Sequence, residues 1–313
     1  MKMGSDESED EPSNINQDND GLQYAEDWRL ETFKYTEFDR YDFEQYIDPD
    51  NNIFNDIEKD CNYYTEEQLN IIPPGNDISI IHFNSRSMYA NYENIRDYLN
   101  KHKKPFNIIA VSETWFDEDR GTDFPLNGYE LNYKNRKNKK TGGGVALYVD
   151  TNLEYKVIEN MSIIIDNVLE CITIEICRGK HKNIIVSCIY RAPGTDVDIL
   201  TKNMENLFSQ CQHKVIFACG DYNLNLLNPH KHKHIDTFID TLYSLNLYPL
   251  ITRPTRITTN SATLIDNIYT NEFGNNIERG VLVTDITDHL PIFAIYKCEY
   301  EKKNRAAIPR YKR

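Results

Sequence analysis

Residues 183–223 read NIIVSCIYRAPGTDVDILTKNMENLFSQCQHKVIFACGDYN. The stretch opens with an apolar strand that ends on Tyr190. It passes through a helix with Leu200, Met204, Leu207 and Phe208 in register, then returns to an apolar strand that ends on Asp221 and Asn223. Both strands are rich in β-branched residues and both finish on polar side chains. A rigid sheet can aim such strand-end groups into one cleft.

The pattern recurs on either side. IIHFNSRSM ends its apolar run on Asn84 and IIAVSETW on Glu113, LIDNIYTN carries Asp266, and DITDHLPI at residues 285–292 sets Asp288 and His289 just before a strand. A single polar residue after a strand is most often a turn former or a helix cap. Six such runs are hard to assign to packing alone. A helix with Tyr92, Ile95, Tyr98 and Leu99 on one face follows the first strand, and another is expected over residues 235–247. After Gly142, Gly143 and Gly144, the segments VALYV, EYKVI, VLECITIEIC and KNIIVSCIY read as consecutive strands of one antiparallel sheet. Two blocks of strands, each with a long helix between strands, predict sheet packed on sheet with helices outside.

Hydrophobic residues make up 40% of the 313, enough for a core, and the net charge is −14. The charge is unevenly spread: residues 1–70 carry 21 acidic and 5 basic side chains, a balance of −16, which leaves +2 for the remainder. The acidity that argues against a nucleic-acid enzyme therefore belongs to the N-terminal segment. Residues 1–75 are expected to form an acidic, largely disordered arm closed by Pro73-Pro74-Gly75, residues 76–299 the folded domain, and residues 300–313 a loose basic tail. A plain extension without a specific role is the favoured reading of the arm; its charge also raises the hypothesis that it lies over a basic cleft and competes with an anionic substrate. Seven cysteines without a C-x-x-C pair indicate buried thiols in a reducing compartment, neither zinc site nor disulfide framework. No apolar run approaches the length of a membrane span and no signal peptide opens the chain, so an intracellular, nuclear protein with no membrane contact is expected.

If the strand ends converge, Glu113 and Asp288, with the amide oxygen of Asn84, are hard oxygen ligands of the kind that hold Mg²⁺ or Mn²⁺. Asp221 would orient or deprotonate an attacking water, while Asn223, Tyr190 and His289 donate toward the non-bridging oxygens of a phosphate. Asp266 would accept from one ring nitrogen of His289, fixing its tautomer and raising its pKa. Arg86, Arg191, Arg253 and Arg256 stand beside these motifs and are expected to contact the phosphates of a bound strand, as is the basic run at 134–140 that includes Lys137 and Lys139. Surface loops such as residues 271–280 would set target preference. The triple glycine is not a phosphate-binding P-loop, because no GK[ST] follows it.

Taken in order, Asn84, Glu113, Tyr190, GDYN at 220–223, IDNIY at 265–269 and TDH at 287–289 resemble the endonuclease/exonuclease/phosphatase superfamily. NSRS at 84–87, SETW at 112–115, GGGV at 142–145, YRAP at 190–193 and RPTR at 253–256 are most similar to the apurinic-type endonuclease domain of non-LTR (LINE-type) retrotransposons. The resemblance covers about residues 77–297. It implies a four-layer α/β sandwich, two packed mixed β-sheets flanked by helices. It also implies dependence on a divalent metal, Mg²⁺ or Mn²⁺, and nicking of DNA to leave a 3′-hydroxyl and a 5′-phosphate, with the residue roles just given. In such elements the 3′-end primes reverse transcription, so a reverse-transcriptase module or element RNA is the implied partner within a longer parent protein. Two positions depart from the family pattern. Thr287 stands where serine is common, and Pro193-Gly194 where an asparagine follows the tyrosine. Two other readings stay open: a phosphomonoesterase of the same superfamily, and an inactive derivative that binds DNA or a partner protein.

Overall fold

The structure, a computed structural model, describes residues 61–72, 77–117, 123–136, 142–227, 233–272 and 276–298. Residues 1–60 and 73–75 of the acidic arm, and with them its expected disorder and cover, lie outside the described residues, as do the basic tail, Lys137 and Lys139. In chain order the first half holds β1 (Asn62–Tyr64), α1 (Glu66–Leu69), β2 (Asp77–Asn84), α2 (Met88–Lys101), β3 (Ile108–Ser112), β4 (Tyr129–Lys134), β5 (Val145–Asp150), β6 (Tyr155–Val157) and β7 (Ile164–Ile165). There follow β8 (Leu169–Ile176), β9 (Ile184–Arg191), α3 (Val197–Phe208), β10 (Val215–Asp221), α4 (Lys233–Ser244), β11 (Tyr248–Pro249), β12 (Arg256–Thr258), β13 (Ser261–Thr263), β14 (Asp266–Thr270), β15 (Ile277–Leu282) and β16 (Ile292–Lys297).

These strands form two mixed sheets in a four-layer α/β sandwich. One sheet runs β1-β15-β16-β2-β3-β5-β4 and the other β11-β14-β10-β9-β8-β6, with β7 beside β8 and a small β12–β13 hairpin apart. Side chains alternate across a strand, and that alternation sorts them into layers. Ile81 and Phe83 of β2, Ile109 and Val111 of β3, and Ala146 and Tyr148 of β5 join Met88, Ile95 and Tyr98 of α2 in one buried cluster, so this face is the outer one. Ile80, His82 and Asn84 of β2 then face inward, toward the second sheet. On the second sheet Phe238 of α4 packs edge-on against Tyr269 of β14, with ring centroids 6.0 Å apart, and marks that sheet's outer face. Across the middle, Phe217 of β10 meets Tyr296 of β16 at 5.6 Å, and the Cys188 thiol of β9 donates to Val111 O at 3.5 Å.

Two of the helices begin at side-chain caps. Thr65 and Gln68 make a reciprocal capping box at α1, and the Asp196 carboxylate accepts from the Asp198 amide at α3. Of the helices expected from periodicity, α2, α3 and α4 all form.

Three expectations need correction. The segments after the glycines do not share one sheet: β5 pairs antiparallel with β3 and β4 in the first sheet, and the second sheet begins at β6. Residues 61–72, expected to belong to the arm, take part in the fold. Asn62–Tyr64 pairs in parallel with β15, Cys61 is fully buried and Leu69 belongs to the core. The loop expected over residues 271–280 is shorter, because β15 already starts at Ile277. Both misplaced segments depend on pairing with strands far away in sequence, which local periodicity does not report.

Candidate active site

The polar strand ends meet at one edge of the sandwich, on its inner side. Asp221 lies directly across from Tyr190 on β9 and from Asp266 on β14, and strand neighbours in register share a face. The Gly220 that precedes Asp221 is packed so tightly that a Cβ there would sit 1.8 Å from Ile189 O. Only glycine lets β10 approach β9 this closely just before the turn.

Asp221 is completely buried and receives three N–H donors. The Asn223 amide donates to its Oδ1 at 2.9 Å, while Oδ2 accepts from Asn223 Nδ2 at 3.1 Å and Asn84 Nδ2 at 2.8 Å. Asn223 can close this turn because it adopts φ +48°, a left-handed conformation that asparagine tolerates. Its other amide hydrogen goes to Arg191 O at 2.8 Å, so Asn223 fixes Asp221 and has no hydrogen left for a phosphate. Asn84 Nδ2 also donates to Glu113 Oε1 at 3.1 Å, while its carbonyl oxygen accepts from the Arg86 amide at 3.0 Å. Asn84 is thus a donor bridging two carboxylates, in place of the oxygen ligand expected from sequence. Burial, and then the charge of Asp266, push the Asp221 carboxyl well above its usual range, more than the nearby His289 can offset. Tyr190 is buried beside Glu113 and Asp221, and its phenol is raised by that burial and by both carboxylates.

Asp266 and His289 form the pair foreseen from sequence: His289 Nδ1 lies 2.9 Å from Asp266 Oδ2, with both side chains buried. Burial alone would lower the imidazole. The Asp266 charge and hydrogen bond, helped by Asp221 and Asp288, outweigh it and raise His289 to about 9. At neutral pH His289 is an imidazolium whose Nε2–H remains a second donor. Sequence reasoning missed Thr255, whose hydroxyl donates to Asp266 Oδ2 at 2.7 Å and accepts from the Asp266 amide at 3.1 Å. Thr255 lies within the RPTR turn, where only the arginines drew attention. His82, two residues before Asn84 on the same face, was missed as well. Its Nδ1 lies 4.0 Å from Asp266 Oδ1, its Nε2 lies 3.1 Å from Ser112 Oγ, and burial lowers it to about 4, so it is neutral. Thr287 does the work expected of serine. Its hydroxyl lies 3.1 Å from Asn84 O, to which it donates, and accepts from the His289 amide at 3.1 Å.

Asp288 departs from its expected place as a metal ligand. Both its oxygens accept from Arg86 Nη1, at 2.9 and 2.8 Å, and Oδ2 also accepts from Arg256 Nε at 2.8 Å. Burial would raise this carboxyl, but the two guanidinium groups hold it below the usual range. Arg86 and Arg256 keep substantial exposure at the rim, where a strand could meet them. Arg191 does not: it is buried and donates to the carbonyls of Tyr222, Asn223 and Thr195, so it braces the loop behind Asp221 and is no DNA contact. Arg253 is exposed, though its Nε donates to Cys61 O at 3.3 Å. Within the basic run, Lys134 pairs with Glu159 at 2.7 Å and Arg136 with the fully buried Glu170. Arg136 also lies over the Tyr190 ring, 5.8 Å from its centroid. A charge run read along the sequence gives no sign of a buried partner such as Glu170.

A divalent cation fits this donor set. Asp221, Asp266 and His289 present atoms all within 4.8 Å of one another, yet Asp266 and His289 are engaged with each other, and Glu113 is joined to this group through the Asn84 amide that it shares with Asp221. Among the described residues, Asp266 Oδ1 is buried without a hydrogen bond, and the surplus of carboxylates already weakens the acidity of Asp221. Oxygen donors with no thiolate beside them favour a hard ion over zinc.

Residues 81–289 match the Endonuclease/Exonuclease/phosphatase family. The chain belongs to that family. Members of the endonuclease/exonuclease/phosphatase family hydrolyse phosphodiesters or phosphate esters with a divalent metal. Among solved structures, the fold is similar to the endonuclease domain of TRAS1, a telomere-specific non-LTR retrotransposon. There the TM-score is 0.54 at 16% identity over 71% of this chain and 98% of that one. It is also similar to the AP endonuclease LMAP from Leishmania major, at TM-score 0.62 and 11% identity over 78% and 95% of the two chains. An AP endonuclease from Archaeoglobus fulgidus gives 0.53 at 16% identity over 71% and 100%. No curated protein sequence matches the chain.

Proposed function

We propose that this protein is a divalent-metal-dependent DNA endonuclease that hydrolyses one phosphodiester and leaves a 3′-hydroxyl and a 5′-phosphate. The observation that carries the reading is the burial of an Asp266–His289 pair beside Asp221, Asn84 and Glu113 at a single edge of the sandwich. Glu113 would hold Mg²⁺ or Mn²⁺, which when bound supplies charge neutralisation at the phosphate, and Asp221 keeps its carboxylate for the attacking water. Asp221, made more basic by burial, takes the proton of the attacking water, and the departing 3′-oxygen takes its proton from solvent. The His289 imidazolium and the Tyr190 phenol donate to non-bridging oxygens as negative charge develops on them. Asp266, steadied by Thr255, keeps His289 charged and aimed. Arg86 and Arg256 would meet the flanking strand at the rim.

The likeness of fold to retrotransposon and apurinic endonucleases supports DNA as the substrate. Work in the nucleus, with a reverse-transcriptase module or element RNA, is part of the same proposal. The test is incubation of supercoiled plasmid with the full chain and Mg²⁺, repeated with His289→Ala. Open-circle product lost in the variant is expected. Phosphate released from a small monoester without nicking would replace the reading by a phosphatase, and DNA binding with neither activity by an inactive derivative.

A further inference from the structure

The second oxygen of Glu113 also has a partner. Oε1 accepts from Asn84, and Oε2 accepts from the indole Nε1 of Trp115 at 3.3 Å. The backbone between them is built to bring this about. Glu113 and Trp115 both adopt left-handed conformations, φ +53° and +57°, which are costly for side chains of this size. The neighbouring glycine run holds them there. The Thr114 amide donates to Gly144 O at 3.3 Å and the Trp115 amide to Gly143 O at 2.9 Å. Gly143 and Gly144 themselves need positive φ, and a Cβ on Gly144 would come within 2.4 Å of the Thr114 hydroxyl. Two strained residues flank one threonine, and the result is that the carboxylate and the indole meet.

We propose that Trp115 is a positioning residue for the metal-binding carboxylate: its indole N–H pins Glu113 Oε2 so that Glu113 meets the cation already oriented. This rests on the proposed function, since it assumes that Glu113 is a metal ligand. The chemistry suits the task. An indole N–H donates only, carries no charge and has no lone pair for a metal, so it can orient a carboxylate without competing for the ion. A free glutamate would otherwise lose the freedom of three side-chain torsions on binding. Partners that hold metal ligands from behind typically change affinity by about tenfold to a hundredfold. The bond here is long, so the low end is expected.

The test measures Mn²⁺ binding to the full chain directly, by the loss of the free-ion electron paramagnetic resonance signal, in wild type, Glu113→Ala and Trp115→Phe. Glu113→Ala should bind much more weakly. Trp115→Phe should bind about tenfold more weakly, with a melting temperature close to wild type. If Glu113→Ala binds as wild type does, the metal assignment itself is wrong and the proposal falls with it. If Glu113→Ala is weak but a folded Trp115→Phe matches wild type, the assignment stands and Trp115 has no such role. A second readout needs no substitution at Trp115. The chain has two tryptophans, so Trp28→Phe leaves Trp115 as the sole indole, excited selectively at the red edge where its tyrosines do not absorb. Its fluorescence should change saturably with Mn²⁺ at the midpoint seen by resonance, and Glu113→Ala should abolish the change. Emission indifferent to the metal would overturn the proposal.

Discussion

Replacing Asp266 by Asn tests the electrostatic heart of the site, because it removes one charge while keeping the shape of the side chain. Thr255 can still donate to the amide oxygen, so packing around the turn should survive. His289 changes most. Its ordinary value of 6.5 is raised to about 9, with Asp266 the strongest raising influence against the lowering effect of burial. Without that charge, burial draws the imidazole back to its ordinary value or below. At pH 7.5 a group with a pKa of about 9 is about 97% protonated, and one at or below 6.5 about 9% at most. Loss of the imidazolium alone therefore lowers the nicking rate about tenfold, and misaiming of the ring adds to this, up to the factor of about 100 to 1000 for losing such a donor outright. The wild-type rate should fall as pH rises through about 9, and the Asp266→Asn rate should fall at a lower pH. Stability follows the same linkage. A folded-state pKa raised above the unfolded one contributes stability that is complete below pH 6.5 and is lost as pH rises through about 9. Its size is about 3 kcal/mol, and the variant should lack that alkaline decline. The assays are plasmid nicking from pH 6 to 10 and titration of the His289 ring by nuclear magnetic resonance. A variant whose rate profile superimposes on wild type, or whose His289 still titrates near 9, would refute the reasoning.

Three further outcomes are expected. Gly220→Ala should destabilise the fold by at least about 3 kcal/mol in urea denaturation, because the added carbon would lie 1.8 Å from Ile189 O. Arg136→Gln strands the buried Glu170 carboxylate and should cost about 3 to 5 kcal/mol by the same measurement. For DNA affinity as a function of salt, Arg86→Gln and Arg256→Gln should each lower the slope of log affinity against log salt by about 1. Arg191→Lys should leave that slope unchanged while reducing stability by about 2 kcal/mol, since its guanidinium serves internal carbonyls.

The inner-edge residues were legible in sequence because each closes a strongly apolar run, and alternation along Phe217, Cys219 and Asp221 or along Ile80, His82 and Asn84 fixes which face they take. The Asp266–His289 pair followed from the complementary chemistry of an acid and an imidazole. What sequence could not show is where a long side chain turns. Arg191 and Arg256 both stand beside motif residues, yet one runs inward to the Tyr222 and Asn223 carbonyls and the other to Asp288 at the rim. The same limit hid the engagement of Asp288 by two guanidinium groups and the donor face of Asn84. Strands β1, β12, β13 and β15 escaped notice because they are short or carry polar residues, and β1 exists only through a partner more than 200 residues away in the chain.

The most direct measurement is the chemistry of the cut ends on plasmid treated with the full chain and Mg²⁺. A nick that a DNA polymerase extends and a DNA ligase reseals, and that chelation of the metal prevents, is the predicted result. A nick that ligase cannot seal, or one that persists after chelation, would contradict hydrolysis to a 3′-hydroxyl and a 5′-phosphate at this site.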